Sequence, residues 1–181
     1  MPRRDNLVLI GMPGCGKTTV GQLLVRRLKH QQWEFIDLDD VIEQAACMKL
    51  WEINEAEGHA GLRRREEAAA VAFDGDRCIL SPGGSVVYSE PAMRHLTSIA
   101  TVIYLHVPAD LLEIRAGDLK VRGVIIRDGM TYADLVAERD PLYRKWAHHV
   151  VDCGDADASV VARQVKALLN ETPPGGEPGG V

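Results

Sequence analysis

A short run near the amino terminus has the residue types and the spacing of a phosphate-binding loop. The run Gly11-Met-Pro-Gly-Cys-Gly-Lys-Thr18 fits the pattern G-x-x-x-x-G-K-[ST] and lies between an apolar run and an amphipathic one. The glycines let successive backbone N–H groups turn towards a phosphate at the start of a helix. Lys17 can reach the β and γ phosphates, and the Thr18 hydroxyl can bind Mg²⁺. The residues predicted to bind a nucleotide are Gly11, Gly14, Cys15, Gly16, Lys17, Thr18 and Thr19.

One of the four cysteines, Cys15, lies inside this loop, at the start of the predicted helix. The start of a helix stabilises a thiolate, so oxidation of Cys15 could block nucleotide binding. We favour the alternative, in which Cys15 is a small residue that fills the loop. Cys47, Cys78 and Cys153 form no Cys-x-x-Cys pair and have no histidine at a ligand spacing. We therefore expect reduced thiols, without a disulfide framework or a structural zinc site.

Two carboxylates, Asp37 and Asp39, follow the second apolar run, Trp33–Ile36. Side chains two residues apart in extended backbone point to the same side of the strand. The carboxyl ends of the strands in a parallel α/β sheet are also where ligands bind. One carboxylate could anchor Mg²⁺ through water, and the other could take the proton from an acceptor hydroxyl. The alternative is a cluster of helix-capping residues, with Asp40 as a cap.

Alternating strands and helices must position these groups. Short apolar runs predict strands at Leu7–Ile10, Trp33–Ile36, Arg77–Leu80, Ala100–His106 and Val150–Val151. Amphipathic or Ala/Glu/Arg-rich runs predict helices at Lys17–Lys29, about Asp40–Phe73, Ala109–Ala116, Thr131–Trp146 and Ala158–Leu169. This alternation predicts an α/β fold, with a parallel sheet and helices on both of its faces.

The order of five motifs along the chain resembles the shikimate kinase family. The motifs are the phosphate loop, Asp37-x-Asp39, Leu62-Arg63-x-x-Glu66, Pro82-Gly83-Gly84-Ser85 and Arg139-Asp-Pro-Leu-Tyr143, and the similarity covers residues 6 to about 170. The resemblance implies an ATP- and Mg²⁺-dependent kinase of the P-loop, nucleoside-monophosphate-kinase-like class. It also implies a five-stranded parallel sheet and a mobile lid at about residues 118–129.

The resemblance implies a role for each catalytic and metal-binding residue. Asp39 would bind and activate the acceptor hydroxyl, while Asp37 would organise Mg²⁺ together with Thr18. Lys17 would contact the transferred phosphate. Arg122 would be the lid arginine over the phosphates of ATP.

The resemblance also implies a set of residues that bind the acceptor. Arg63 and Arg139 would clamp its carboxylate, and Glu66 would orient Arg63. Gly83 and Gly84 would approach the acceptor through their backbone. This arrangement is chemically coherent, because a bidentate arginine suits a carboxylate and fixes the hydroxyl in line with the γ-phosphate.

The chain departs from the family pattern at the acceptor pocket and in the lid. Ser85 replaces the third of three glycines, Leu62 replaces a phenylalanine, Asn54 replaces an aromatic residue, and Arg122-Gly-Val124 replaces Arg-Pro-Leu. These departures leave the identity of the acceptor undecided. The first expectation is shikimate, which would yield shikimate 3-phosphate, and the alternative is another hydroxy acid such as homoserine or gluconate. A nucleotide-binding regulatory protein without transfer activity is the alternative of another class. A GTP switch is not expected, because the chain contains no Asn-Lys-x-Asp.

The composition is typical of a globular chain, with 181 residues, of which 46% are hydrophobic and 26% charged. The net charge of −5 disfavours a nucleic-acid partner, and no apolar run approaches the ~18 residues of a membrane span. We therefore expect a cytoplasmic protein, and the resemblance suggests a monomer. Residues 1–170 are predicted to form one domain, and the Pro- and Gly-rich residues 171–181 a disordered tail.

Overall fold

Five parallel strands form the central sheet of the protein. The computed structural model describes residues 5–28, 31–116, 126 and 129–169. The strands are β1 (Leu7–Ile10), β2 (Glu34–Asp37), β3 (Cys78–Ser81), β4 (Thr101–His106) and β5 (His149–Asp152). They lie in the order β2-β3-β1-β4-β5, and every pairing is parallel. The predicted fold class and the number of strands are confirmed.

Helices flank this sheet. In the described part of the chain they are α1 (Lys17–Arg27), α2 (Leu38–Ala46), α3 (Leu50–Ala72), α4 (Glu90–Ile99), α5 (Ala109–Ala116), α6 (Tyr132–Trp146) and α7 (Ala158–Leu168). A short 3₁₀ helix spans Val86–Tyr88. Helices α1 and α7 pack on each other, and α3 packs on α2 and α4.

The central strand β1 fixes the start of the phosphate loop. All four of its residues are at most 1% exposed, because the strand has neighbours at both edges and carries only apolar side chains. Gly11 follows at φ +148°, and a Cβ there would lie 2.8 Å from both the Cys15 sulfur and the Leu105 carbonyl oxygen. Only glycine fits at this position. Cys15 is itself buried, as a residue that fills the loop would be.

The helical region expected at about 40–73 consists of two helices, α2 and α3. Helix α2 ends at Cys47, which has a left-handed φ of +51°, and α3 begins after Lys49 with a capping box formed with Glu52. Helix α3 is kinked at Gly58, where φ is +69° and ψ is 177°. This backbone conformation is almost exclusive to glycine, so Gly58 permits the kink.

Helix α4 was missing from the sequence prediction, although its start carries clear signals. The Ser89 side chain accepts a hydrogen bond from the Ala92 N–H, and a proline stands in the first turn. Its apolar residues Ala92, Met93, Leu96 and Ile99 also recur at helical spacing, which was a usable signal.

Several predictions fall wholly or mainly outside the described residues. These are the lid at about 118–129, with Arg122, and the tail at 171–181. The single domain over 1–170 and the monomeric state stay predictions. Among the described helices, none has both the length and the apolar character needed to cross a bilayer.

Candidate active site

A cavity of about 550 Å³ opens at the carboxyl ends of β1, β2 and β3. This is the edge at which open parallel α/β sheets bind ligands, and β1 is the strand where the strand order reverses. The cavity is lined by Pro13, Gly14, Gly16, Lys17, Thr18, Thr19, Asp37, Asp39, Glu43, Leu50, Glu66, Ser81, Pro82, Gly83, Gly84, Ser85, Arg115 and Arg139.

The phosphate loop forms one wall of this cavity. Lys17 donates hydrogen bonds from Nζ to the carbonyl oxygens of Gly11 and Met12, at 2.9 and 3.3 Å. Gly16 precedes α1 with a left-handed φ of +97°, so the first turn of α1 faces the cavity with its positive end. The Tyr132 hydroxyl of α6 donates to the Pro13 carbonyl at 2.6 Å and braces the loop. A helix amino terminus beside a lysine is suited to bind phosphate.

Asp37 connects the phosphate loop to the acceptor side of the cavity. It ends β2 and caps α2, accepting from the Asp39 N–H at 3.2 Å. Its other carboxylate oxygen accepts from the Thr18 hydroxyl at 3.1 Å. Burial raises the pKa of Asp37 above its usual value.

The geometric reason for pairing Asp37 with Asp39 was wrong, because Asp39 is not in extended backbone. It lies in the first turn of α2, and the cap is Asp37 rather than Asp40. Both carboxylates nevertheless line the cavity, as predicted. The turn from strand to helix directs them there.

Asp39 has the most unusual carboxylate environment of the site. Burial, together with the nearby charges of Asp37 and Glu66, raises its pKa from 3.8 to about 7. Its Oδ1 is buried and has no hydrogen-bond partner within the described ranges. A carboxylate with a pKa near neutral, facing a cavity, is suited to accept a proton from a bound hydroxyl.

Arg139 of α6 brings a buried positive charge to the same cavity. It is only 4% exposed, and its Nη1 lies 3.0 Å from the position that a Cβ on Gly84 would occupy. Tyr143, one turn later, donates from its hydroxyl to the Gly84 carbonyl at 2.7 Å. Residues 83–84 therefore lie against both α6 and the carboxylates, and a side chain at either position would displace them.

Arg63 is not brought into the main cavity. It contacts a smaller adjacent cavity of about 170 Å³, where its guanidinium carbon lies 4.7 Å from the centre of the Tyr88 ring. Glu66, which we predicted to orient Arg63, accepts a hydrogen bond from Ser85 and also interacts electrostatically with Arg63. Glu66 and Ser85 line both cavities, so the cavity that Arg63 contacts adjoins the acceptor side of the main one.

Other residues differ from expectation in the same region. Asn54, expected in the wall of the acceptor pocket, accepts a 2.7 Å hydrogen bond at Oδ1 from His59 Nδ1 across the kink in α3, and neither residue lines the main cavity. Arg115, to which we assigned no role, does line it, and its Nη2 donates to the Gly154 carbonyl at 3.0 Å. Its position three residues before the predicted lid segment at 118–129 was the usable signal in the sequence.

Comparisons with known proteins agree with this geometry. A family described as shikimate kinase matches residues 13–170. The chain is 37% identical over 169 residues to shikimate kinase 2 of Pectobacterium carotovorum, covering 90% of this chain and 95% of the relative. It is 39% identical over 174 residues to shikimate kinase of Thiobacillus denitrificans, covering 94% and 93%.

A solved structure extends the agreement to three dimensions. The shikimate kinase of Acinetobacter baumannii, solved in complex with shikimate, has a TM-score of 0.82 and 30% identity, covering 93% of both chains. The sheet order, the phosphate loop and the matched sequences lead to one conclusion. This chain belongs to the shikimate kinase family and is an ATP-using small-molecule kinase, a phosphotransferase that acts on a hydroxyl group.

Proposed function

We propose that this chain transfers the γ-phosphoryl group of ATP to a hydroxyl of shikimate, giving shikimate 3-phosphate. One arrangement carries the proposal: the phosphate loop, the near-neutral Asp39 and the buried Arg139 line the same cavity. These three features suit the three groups that the reaction brings together, which are the phosphates of the donor, the hydroxyl of the acceptor and the carboxylate of the acceptor. The proposal of shikimate, rather than homoserine or gluconate, follows the relatives' names.

The phosphate loop and the start of α1 bind the phosphates of ATP in this account. Backbone N–H groups of residues 14–19 and the positive end of α1 offset the phosphate charge, and the Lys17 ammonium contacts the transferred group. Arg115 adds a second positive charge at the edge of the same cavity. Arg122, outside the described residues, keeps its expected role as a lid arginine over the phosphates.

Thr18 and Asp37 are the residues proposed to hold Mg²⁺. Their oxygens already lie within 3.1 Å of each other beside the phosphate loop, and hydroxyl, carboxylate and water oxygens are the ligands that Mg²⁺ prefers. The ion supplies neutralisation of the charge on the β and γ phosphates. These residues fit the ion by donor type and by position.

Asp39 is proposed as the residue that receives the proton of the acceptor hydroxyl. A pKa near 7 keeps part of the group ionised at neutral pH while leaving it basic enough to take a proton. The neighbouring Gly83 allows the acceptor ring to approach the carboxylate, since no side chain intervenes. Arg139, with Arg63 beside it, binds the acceptor carboxylate and so sets the hydroxyl in line with the γ-phosphate.

The direct test is a coupled ADP-release assay with MgATP and separate acceptors: shikimate, homoserine and gluconate. We expect a saturable signal with shikimate and only background with the other two. A saturable signal with homoserine or gluconate alone would overturn the choice of acceptor. ATP binding without acceptor-stimulated ADP release would favour a regulatory protein.

A further inference from the structure

Tyr88, in the 3₁₀ helix after β3, contacts both arginines of the proposed carboxylate clamp. The guanidinium carbon of Arg63 lies 4.7 Å from the centre of its ring, and that of Arg139 lies 5.3 Å from it. The two arginines come from different helices, α3 and α6. Two positive charges would repel each other at such close quarters, and the electron-rich face of an aromatic ring offsets part of that repulsion.

The Tyr88 hydroxyl fixes the orientation of Arg139 in addition to its position. It donates its proton to the Glu138 carboxylate and accepts a hydrogen bond from Arg139 Nε at 3.3 Å. A tyrosine hydroxyl has one proton, so Glu138 takes that proton and leaves an oxygen lone pair for Arg139. With Nε bonded to Tyr88, the terminal nitrogens of the guanidinium are left for Tyr143 and a ligand, and Nη1 is the atom that lies against Gly84.

Ser85 is the hydrogen-bond partner of the buried carboxylate near Arg63. Its hydroxyl donates to Glu66, which is only 8% exposed and would otherwise need another donor. Arg63 therefore meets the Tyr88 ring by a cation–π contact, which consumes none of its five N–H donors.

We propose that Tyr88 is a positioning residue that holds Arg63 and Arg139 as a pair for the carboxylate of the acceptor. The inference rests on the proposed function, because that function supplies the carboxylate. It assigns Tyr88 a place in acceptor recognition without contact to the reacting atoms. A tyrosine that merely packed in this position would stabilise the fold but would not discriminate between charged and neutral acceptors.

The kinetic test compares two substitutions of Tyr88. Tyr88→Phe keeps the ring and loses the hydroxyl, and we expect the KM for shikimate to rise about fivefold. Tyr88→Leu loses both, and we expect a rise of about thirtyfold. In both variants the KM for ATP and kcat should stay within about twofold of wild type, because neither arginine is assigned to the nucleotide.

A second acceptor makes the test specific for charge. Shikimate carboxamide carries no negative charge, so the wild type should prefer shikimate over it, and Tyr88→Leu should lose most of that preference. A fold defect would lower the activity on both acceptors alike. The matched control is Tyr104→Phe, which keeps the ring stacked on Tyr143 and removes only a hydroxyl that donates to Asp140. It should leave the KM for shikimate within about twofold.

Equal loss of activity on both acceptors, or an equal effect of Tyr104→Phe, would overturn the inference. So would KM values for shikimate in both Tyr88 variants within twofold of wild type. A wild type without shikimate-dependent turnover would overturn the proposed function instead.

A spectroscopic measurement tests the role of Tyr88 even if the wild type does not turn over shikimate. The ¹H–¹⁵N signal of Arg139 Nε–H, assigned by its absence from Arg139→Lys, should exchange slowly with water in the wild type. It should exchange much faster in Tyr88→Phe, because its acceptor is gone. An unchanged exchange rate of this signal in Tyr88→Phe would overturn the inference, independently of which acceptor the enzyme uses.

Discussion

Asp39 and Gly83 lie so close that no side chain fits between them. A Cβ on Gly83 would be 3.0 Å from Asp39 Oδ1 and 2.9 Å from Glu66 Oε1. The absence of a side chain at residue 83 therefore keeps the buried face of Asp39 accessible from the cavity. The relationship joins the carboxyl end of β3 to the first turn of α2, which are distant in sequence and adjacent in space.

Gly83→Ala tests this relationship. The added methyl group has to displace Asp39 or Glu66, and we expect kcat/KM for the acceptor to fall at least about tenfold. The KM for ATP should stay near the wild-type value. Steady-state kinetics with each substrate varied in turn measures both, and an unchanged thermal midpoint would confirm that the fold is intact. Full activity in the variant would show that residue 83 is not close to the acceptor.

The pH dependence of kcat tests the proposed role of Asp39. Its pKa, raised to about 7 by burial, predicts that the protonated and inactive form dominates below neutral pH. The rate should therefore fall by about tenfold per pH unit well below that pKa. A profile of kcat between pH 5 and 9 measures the effect. A flat profile down to pH 5 would contradict the assignment of Asp39 as the proton acceptor.

Asp39→Asn should remove activity and alter stability in a pH-dependent way. Because the pKa of Asp39 is higher in the folded state than its ordinary value of 3.8, the wild type loses stability as pH rises towards about 7. The variant has no charge to bury, so it should be more stable than wild type at pH 8, by roughly 2–4 kcal/mol. The difference should shrink as pH is lowered to 5. Urea unfolding at both pH values measures it, and a variant less stable than wild type at pH 8 would contradict the burial argument.

Much of the phosphate side of the site was predictable from the sequence, because a local motif specifies it. The motif from Gly11 to Thr18 predicts the loop, the start of the helix and the position of the lysine. The apolar strand β1 before it is buried, as expected. The acceptor side depends on the turn between β2 and α2. Asp37 and Asp39 line one cavity, although Asp39 is not in the extended backbone from which the sequence predicted this.

The contacts of Tyr88 and Ser85 were not predictable in the same way. Tyr88 meets Arg139 from 51 residues away, and Ser85 meets Glu66 from 19 residues away. Such contacts follow from how α3 and α6 pack on the 3₁₀ helix, and no local spacing encodes that packing. Ser85 appeared in the sequence only as a departure from three glycines, without a partner.

Arg139→Ala should weaken acceptor binding. Its guanidinium is nearly fully buried, so its interaction with a carboxylate is poorly screened, and we expect a loss of about 2–5 kcal/mol in acceptor binding. The KM for the acceptor should rise accordingly, with the KM for ATP little changed. Arg64→Ala, in the neighbouring cavity, is the control that also removes an arginine. An unchanged acceptor KM in Arg139→Ala would remove this residue from the site.

Lys17→Ala should abolish transfer without unfolding the protein. The ammonium lies over the loop, bonded to the carbonyls of Gly11 and Met12, and its loss removes the positive charge proposed to contact the transferred group. Circular dichroism should be unchanged while acceptor-stimulated ADP release disappears. Normal kinetics in this variant would contradict the proposed use of the phosphate loop.

The most direct test of the central claim is to follow the γ-phosphate of ATP itself by ³¹P NMR in the presence of Mg²⁺ and shikimate. We predict that the γ signal is replaced by an equal phosphomonoester signal of shikimate 3-phosphate, and that Asp39→Asn produces none. Appearance of the γ-phosphate as inorganic phosphate only, or no loss of ATP at all, would contradict the account.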